Sequence, residues 1–211
     1  MGRLNGKAIE IFVKRMEEMY PEAGCALTFD NHFQLLTAVM LSAQTTDKSV
    51  NQVTPTLFRE YPDALAIANA EAEILEGILR PIGMYKTKAK NLQGLSRMLV
   101  EKYDGQVPED YDRLVELPGV GRKTANVVLS VGFGWQRIAV DTHVFRLANR
   151  IGLVQEKDVL KTELALMKVL PKEKWSLIHH GMIYHGRQIC MARRPKCNQC
   201  HIYDICKKNN I

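Results

Sequence analysis

The sequence predicts an all-α protein, and three observations carry that prediction. Apolar residues recur at helical spacing along nearly the whole chain, no stretch alternates apolar and polar residues as a half-buried strand would, and prolines stand between the apolar stripes. Ile9, Phe12, Val13, Met16 and Met19 form the first stripe, closed by Pro21. Phe33, Leu36, Val39 and Met40 form the second, within the patch Leu35 to Ala43, whose length suits a core helix and not a membrane span. Pro55 interrupts the pattern from Val50 to Phe58, so a kink or an early stop is expected there. Between Pro81 and Pro108 a stripe runs through Leu92, Leu95, Met98 and Leu99. After Pro118, further stripes follow: Val144, Leu147 and Ile151, then Leu160, Leu164 and Met167, before Pro171. The sum is about ten short helices joined by short loops.

At 211 residues the chain has room for one large domain or two small ones. Its 46% hydrophobic and 25% charged residues are those of an ordinary globular protein. No membrane-length apolar run or leader pattern is present, and Gly6 stands where a myristoylation signal needs Ser or Thr, so a cytoplasmic location is expected. The net charge of +6 permits a polyanionic partner. Six basic residues (Arg187, Arg193, Arg194, Lys196, Lys207, Lys208) stand against Asp204 alone in the final segment from Gly186, which thus holds most of the net charge.

That segment also holds four of the five cysteines, Cys190, Cys197, Cys200 and Cys206, spaced C-x6-C-x2-C-x5-C. Clustered cysteines in a cytosolic chain favour metal over disulfide, and four thiolates suit zinc or an iron–sulfur cluster. Only Cys197 and Cys200 form a close knuckle, and the uneven loops fit a cubane held at four corners better than zinc. A [4Fe–4S] core with four thiolates carries about −2, which Arg187, Arg193, Arg194 and Lys196 partly offset. Cys25 stands apart and reads as a small buried hydrophobe.

The stretch LPGVGRKTANVV, Leu117 to Val128, reads as a tight turn feeding a helix. Pro118, Gly119 and Gly121 make the turn, and the glycines open the amides of Val120, Gly121 and Arg122 to a phosphate at a helix start. Such a hairpin grips a nucleic-acid backbone without reading its sequence. Lys123 follows in the first helical turn, where it is either a solvated charge or, if partly buried, an amine whose neutral, nucleophilic form is favoured. A neutral lysine attacking a sugar carbon needs a carboxylate to stabilise the developing positive charge. VDTHVFRLANR places Asp141 before a helical stripe, where it caps the helix through the amide of His143 or Val144. Capping also holds a carboxylate rigid and ionised, so the two roles are compatible. His143 reads as structural.

Together these motifs resemble the endonuclease III family of DNA glycosylases, within the helix-hairpin-helix superfamily, over essentially the whole chain. LPGVGRKTANVVL looks like the family's hairpin with its catalytic lysine, VDTHV like its catalytic aspartate, and the cysteine spacing like its [4Fe–4S] signature. The resemblance implies a six-helix domain at 22–133 and a cluster domain from 1–21 and 134–211, with Lys123 and Asp141 facing each other across a groove. It also implies that Gln44, in LSAQTTDKSV, enters the gap left by a flipped nucleotide, and that Met84, in PIGMYKTKAKN, wedges between bases. Lys86, Lys88 and Lys90 then contact the backbone, as do Arg193, Arg194 and Lys196 on the pinned loop between Cys190 and Cys197. Asp47 matches a family carboxylate and equally suits a helix cap.

The implied protein is a monomeric bifunctional N-glycosylase and apurinic/apyrimidinic lyase acting on duplex DNA with oxidised pyrimidines or abasic sites. A monofunctional adenine-glycosylase relative and a non-catalytic damage-binding or redox-sensing module are the alternatives; Lys123 argues against the first, and the Lys123–Asp141 pair against the second.

Overall fold

The computed structural model describes residues 2–209, and all regular structure among them is helical. The chain divides into two compact units: residues up to Cys25 with those from Trp135 onward, and Ala26–Gly134.

The first unit opens with α1 (Gly6–Met19), which starts on the Asn5 side chain and buries Phe12, Val13 and Met16. The Ala26–Gly134 unit follows, with α2 (His32–Leu41), α3 (Asp47–Glu60), α4 (Ala64–Ala68), α5 (Ala72–Leu79), α6 (Tyr85–Tyr103), α7 (Tyr111–Glu116) and α8 (Arg122–Phe133). These are seven segments where six helices were expected, because Asp63 caps the single extra turn α4 through the amide of Ala66. Every residue of α2 from Phe33 to Leu41 is buried, so α2 is the core rod of this unit, with α8, α3 and α6 packed on it.

Helix α3 does not stop at Pro55. It runs on to Glu60, since Pro55 lies on the exposed face and Val50, Val53, Thr54 and Leu57 hold the opposite face in the core. One lost backbone hydrogen bond at a solvated position does not outweigh that burial.

The first unit resumes with α9 (Thr142–Ile151), α10 (Val159–Val169) and α11 (Trp175–Gln188), whose core joins Val144, Leu147, Ile151, Leu166, Ile178 and Met182 to Phe12 and Met16 of α1. Helix α10 departs from its predicted stripe. Leu160 and Leu164 are exposed, at 46% and 45%, while Thr162, Glu163 and Leu166 face inward. Apolar residues lie on all sides of this helix, so periodicity allowed two faces, and packing against α9 selected the one that carries Leu166. Cys25 is half-buried, not buried, because it lies in the extended connection that leaves the first unit.

Both ends of the described chain close on the C-terminus of α9. Leu4 N–H donates to Gly152 O (2.7 Å), Lys207 N–H to Ile151 O (3.0 Å) and Asn209 N–H to Arg150 O (2.9 Å). The Asn209 side chain adds bonds to Asn149 O and Gly2 O. Gly152 ends α9 at φ +92°, and a Cβ there would lie 2.7 Å from Gly2 O. Gly134, which ends α8 at φ +73°, has open space around it. Gly134→Ala is therefore expected to cost only the left-handed backbone term, about 1 kcal/mol. Gly152→Ala should cost at least about 2 kcal/mol, because backbone must also move. Denaturant melts of the two variants check this; equal losses would refute the close-approach argument.

Candidate functional site

The turn from Leu117 to Gly121 joins α7 to α8 and packs against α6. Gly119 sits at φ +77°, and a Cβ on it would lie 2.9 Å from Asn91 Cβ, so both conformation and space require glycine. Contrary to the expectation from the sequence, Val120 does not offer its amide to a phosphate. Its side chain is buried and its amide donates to Leu117 O (3.0 Å), so that amide belongs to the turn. The outward face is left to Gly121 and Arg122. Gly121 is the N-cap of α8 and supplies no side chain to the first-turn amides, whereas α1 to α4, α7, α9 and α10 all start on a side-chain cap. The Arg122 guanidinium lies 5.6 Å over the Tyr111 ring and donates to its hydroxyl at 3.1 Å. Lys123 follows with its side chain exposed, so the partial burial considered from the sequence is not met by the protein alone.

Gln44 and Met84 lie in the same unit. Both are exposed and both adopt the left-handed region, at φ +54° and φ +57°. Met84 caps α6 from that conformation without a side-chain hydrogen bond. A left-handed conformation at a residue other than glycine costs free energy and marks positions that the surroundings hold in place. Lys88, expected to contact a DNA backbone, is instead buried, and its ammonium donates to Thr45 Oγ1. The exposed Lys86 and Lys90 keep the outward direction. Thr46, not Asp47, caps α3, and Asp47 takes the first helical position.

The remaining candidates belong to the other unit. Asp141 caps α9, its Oδ1 accepting from Val144 N–H at 2.8 Å. His143 faces Arg146, whose Nη2 is 3.2 Å from Nδ1. Burial pushes the His143 imidazolium below its ordinary range and Arg146 and Arg187 push the same way, against the pull of Asp141. Cys190, Cys197, Cys200 and Cys206 line one pocket, backed by Ile151 and Ile202. No three metal-ligating side chains among the described residues converge on a single-ion site; the thiols surround a space. Burial raises the thiols of Cys200 and Cys206, and repulsion from the neighbouring cysteines adds to it.

That pocket has a shell the sequence reading missed. Arg150, buried on α9, donates to Cys190 Sγ (3.5 Å), Met191 O (2.8 Å) and Ala192 O (3.3 Å). Arg146 donates to Cys190 O (2.9 Å) and Gly186 O (3.0 Å). Tyr20 Oη lies 3.0 Å from His185 Nδ1, and His185 Nε2 lies 3.5 Å from Cys200 Sγ. Burial lowers His185 to about 4 and raises Tyr20 to about 12, so a neutral ring and an intact phenol meet behind the thiol. Arg193, Arg194 and Lys196 remain exposed on the loop that Arg150 grips, with Arg194 at φ +52°.

The profile of the HhH-GPD superfamily of base excision DNA repair proteins matches residues 37–172. Endonuclease III of Bacillus subtilis is 48% identical over 97% of this chain and 94% of its own length. The chain belongs to the endonuclease III family. Endonuclease III of Escherichia coli is 45% identical, with 95% of each chain covered. The structure superposes on a trapped endonuclease III–DNA covalent intermediate with a TM-score of 0.93 at 48% identity over 97% of both chains.

Within this endonuclease III family member, α9 gave one signal that could have exposed the shell: Arg146 and Arg150 share a face four residues apart, immediately after the capping aspartate. The fork of Arg150 donates to two carbonyls of the cysteine loop, those of Met191 and Ala192. Arg150→Leu is therefore expected to destabilise the first unit by about 3 kcal/mol and to speed amide exchange from Met191 to Lys196. Hydrogen-exchange mass spectrometry checks this; unaltered exchange in that loop would show that Arg150 does not hold it.

Proposed function

We propose that the protein is a bifunctional DNA N-glycosylase and apurinic/apyrimidinic lyase that removes oxidised pyrimidines from duplex DNA. The observation that carries this reading is Lys123 in the exposed first turn of α8, directly after an N-cap without a side chain, in a chain so similar to an endonuclease III trapped covalently on DNA. The uncapped α8 start and Gly121 receive a phosphate, and Arg122 adds its charge. The damaged nucleotide turns out of the stack, Gln44 fills the gap, and Met84 wedges beside it. The seated nucleotide excludes the water that the protein alone leaves around Lys123.

The Lys123 amine then bonds to C1′ as the N-glycosidic bond breaks and the base leaves with a proton, Asp141 stabilising the positive charge on the sugar. Ring opening yields a Schiff base. Loss of the C2′ proton follows, and the electron pair expels the 3′ phosphate as the C3′–O bond breaks. Arg193, Arg194 and Lys196 dock against phosphates away from the chemistry. The reaction takes place in the cytoplasm, on the DNA there.

Cys190, Cys197, Cys200 and Cys206 would hold a [4Fe–4S] cluster, which the number and arrangement of thiols around one pocket support. When bound, it supplies a rigid cross-link for the loop bearing the three cations. Arg150, the Lys208 amide (3.4 Å from Cys206 Sγ) and His185 supply hydrogen bonds to the sulfurs.

Borohydride is expected to trap the wild-type protein on abasic-site duplex, with the adduct mapping to Lys123. Lys123→Gln should lose trapping and strand cleavage while still binding DNA, and a variant that cleaves at the wild-type rate would overturn the reading. Asp141→Asn is the discriminating partner. Asparagine caps as well as aspartate, so stability should hold while excision falls about a hundredfold or more; unaltered excision would leave Asp141 a cap only. The purified protein should also be yellow-brown, with about four irons per chain. One zinc and no iron would rule the cluster out.

A further inference from the structure

Lys88 is a buried cation, 3% exposed, on the inner face of α6. Its ammonium donates to Thr45 Oγ1 at 2.5 Å, the one hydrogen bond of its side chain among the described residues. Burial pulls its pKa below the ordinary lysine range, so its position carries a cost in free energy. An apolar chain of similar length would avoid that cost, so core stability does not account for a lysine here.

The placement of its two ends does. Thr45 follows Gln44, the exposed residue at φ +54°. The backbone amide of Lys88 donates to Met84 O (3.0 Å), and Met84 is the exposed residue at φ +57° that opens α6. One residue thus links two of the three left-handed residues other than glycine in this unit, Met84 through its backbone and the neighbour of Gln44 through its side chain. Thr45 Oγ1 also reaches Ala43 O at 3.5 Å, and the Thr45 amide donates to Ser42 O, so the grip extends to the shape of the whole loop after α2. Left-handed residues other than glycine persist only where the surroundings over-determine them, and two such residues linked through the Lys88–Thr45 bond hold a fixed spacing.

We propose that Lys88 is a positioning residue that couples Gln44 to Met84, so that both enter the duplex as one preset element and base extrusion does not have to order them separately. The proposal rests on the reading that these two residues enter DNA. It concerns extrusion and not the bond-breaking steps, and it separates the two reactions of the protein: excision requires a base to be drawn out of the stack, whereas cleavage at a preformed abasic site does not.

The test uses full-length, iron-loaded protein in single-turnover assays on a duplex with an oxidised pyrimidine and on one with a preformed abasic site. Fluorescence of 2-aminopurine beside the lesion reports unstacking. Lys88→Met and Thr45→Val should each slow excision about tenfold and weaken the fluorescence rise, the worth of one charge-assisted hydrogen bond, while abasic-site cleavage stays at the wild-type rate. The double variant should be no slower than either single one, and Thr45→Ser, which keeps the hydroxyl, should behave as wild type. If Lys88→Met does not fold, Thr45→Val against Thr45→Ser decides. Wild-type excision in Thr45→Val, additive losses in the double variant, or parallel loss of both reactions would overturn the coupling. Gln44→Ala and Met84→Ala separate the two levels: if they slow excision and Thr45→Val does not, coupling alone fails; if they too excise normally, the reading that they enter DNA fails with it.

Discussion

A helix ends with carbonyls that have no partner of their own, and the way α9 solves this organises the unit that contains it. Asn149, Arg150, Ile151 and Gly152 offer their oxygens to the Asn209 side chain, the Asn209 amide, the Lys207 amide and the Leu4 amide. Chain segments from the two ends of the sequence thus meet on one helix terminus, and the Gly2–Asn209 pair closes them on each other. The same ten-residue helix starts on Asp141 and sends Arg146 and Arg150 under the cysteine loop. The candidate carboxylate and the cysteine pocket therefore share one rigid support.

Arg150 shows how charge is handled there. It is buried with no carboxylate within reach of its fork among the described residues, and the carbonyl oxygens of Met191 and Ala192 accept its hydrogen bonds. Its guanidinium stands 3.5 Å from Cys190 Sγ, so a positive charge lies at the edge of the pocket that the four thiols line. The three cations of that loop, Arg193, Arg194 and Lys196, are exposed.

The Ala26–Gly134 unit is built on the opposite principle. Its centre is α2, buried on every side, and its ends are left unfinished: α8 starts without a side-chain cap, α6 starts on a left-handed methionine, and the loop after α2 turns at a left-handed glutamine. A packed centre lets such ends keep conformations that cost free energy. The features expected to meet DNA are those where local rules of helix capping are broken.

What could be read from the sequence was what depends on neighbours within a turn or two. The helical stripes, the Asp141 cap, the need for glycine at position 119, the placement of Lys123 in a first helical turn and the spacing of the cysteines are all of this kind, because backbone conformation and capping are decided over three or four residues. What escaped it depends on partners far along the chain. The inward turn of Lys88 is set by Thr45, 43 residues away, and the grip of Arg150 on the cysteine loop spans about forty. The commitment of the Val120 amide to Leu117 needed the turn's closed geometry, and the buried face of α10 needed α9 to choose between two apolar sides. Periodicity repeats every 3.6 residues and carries no label for the surface it will meet; only the tertiary structure supplies that surface, and with it the direction each ambiguous side chain takes.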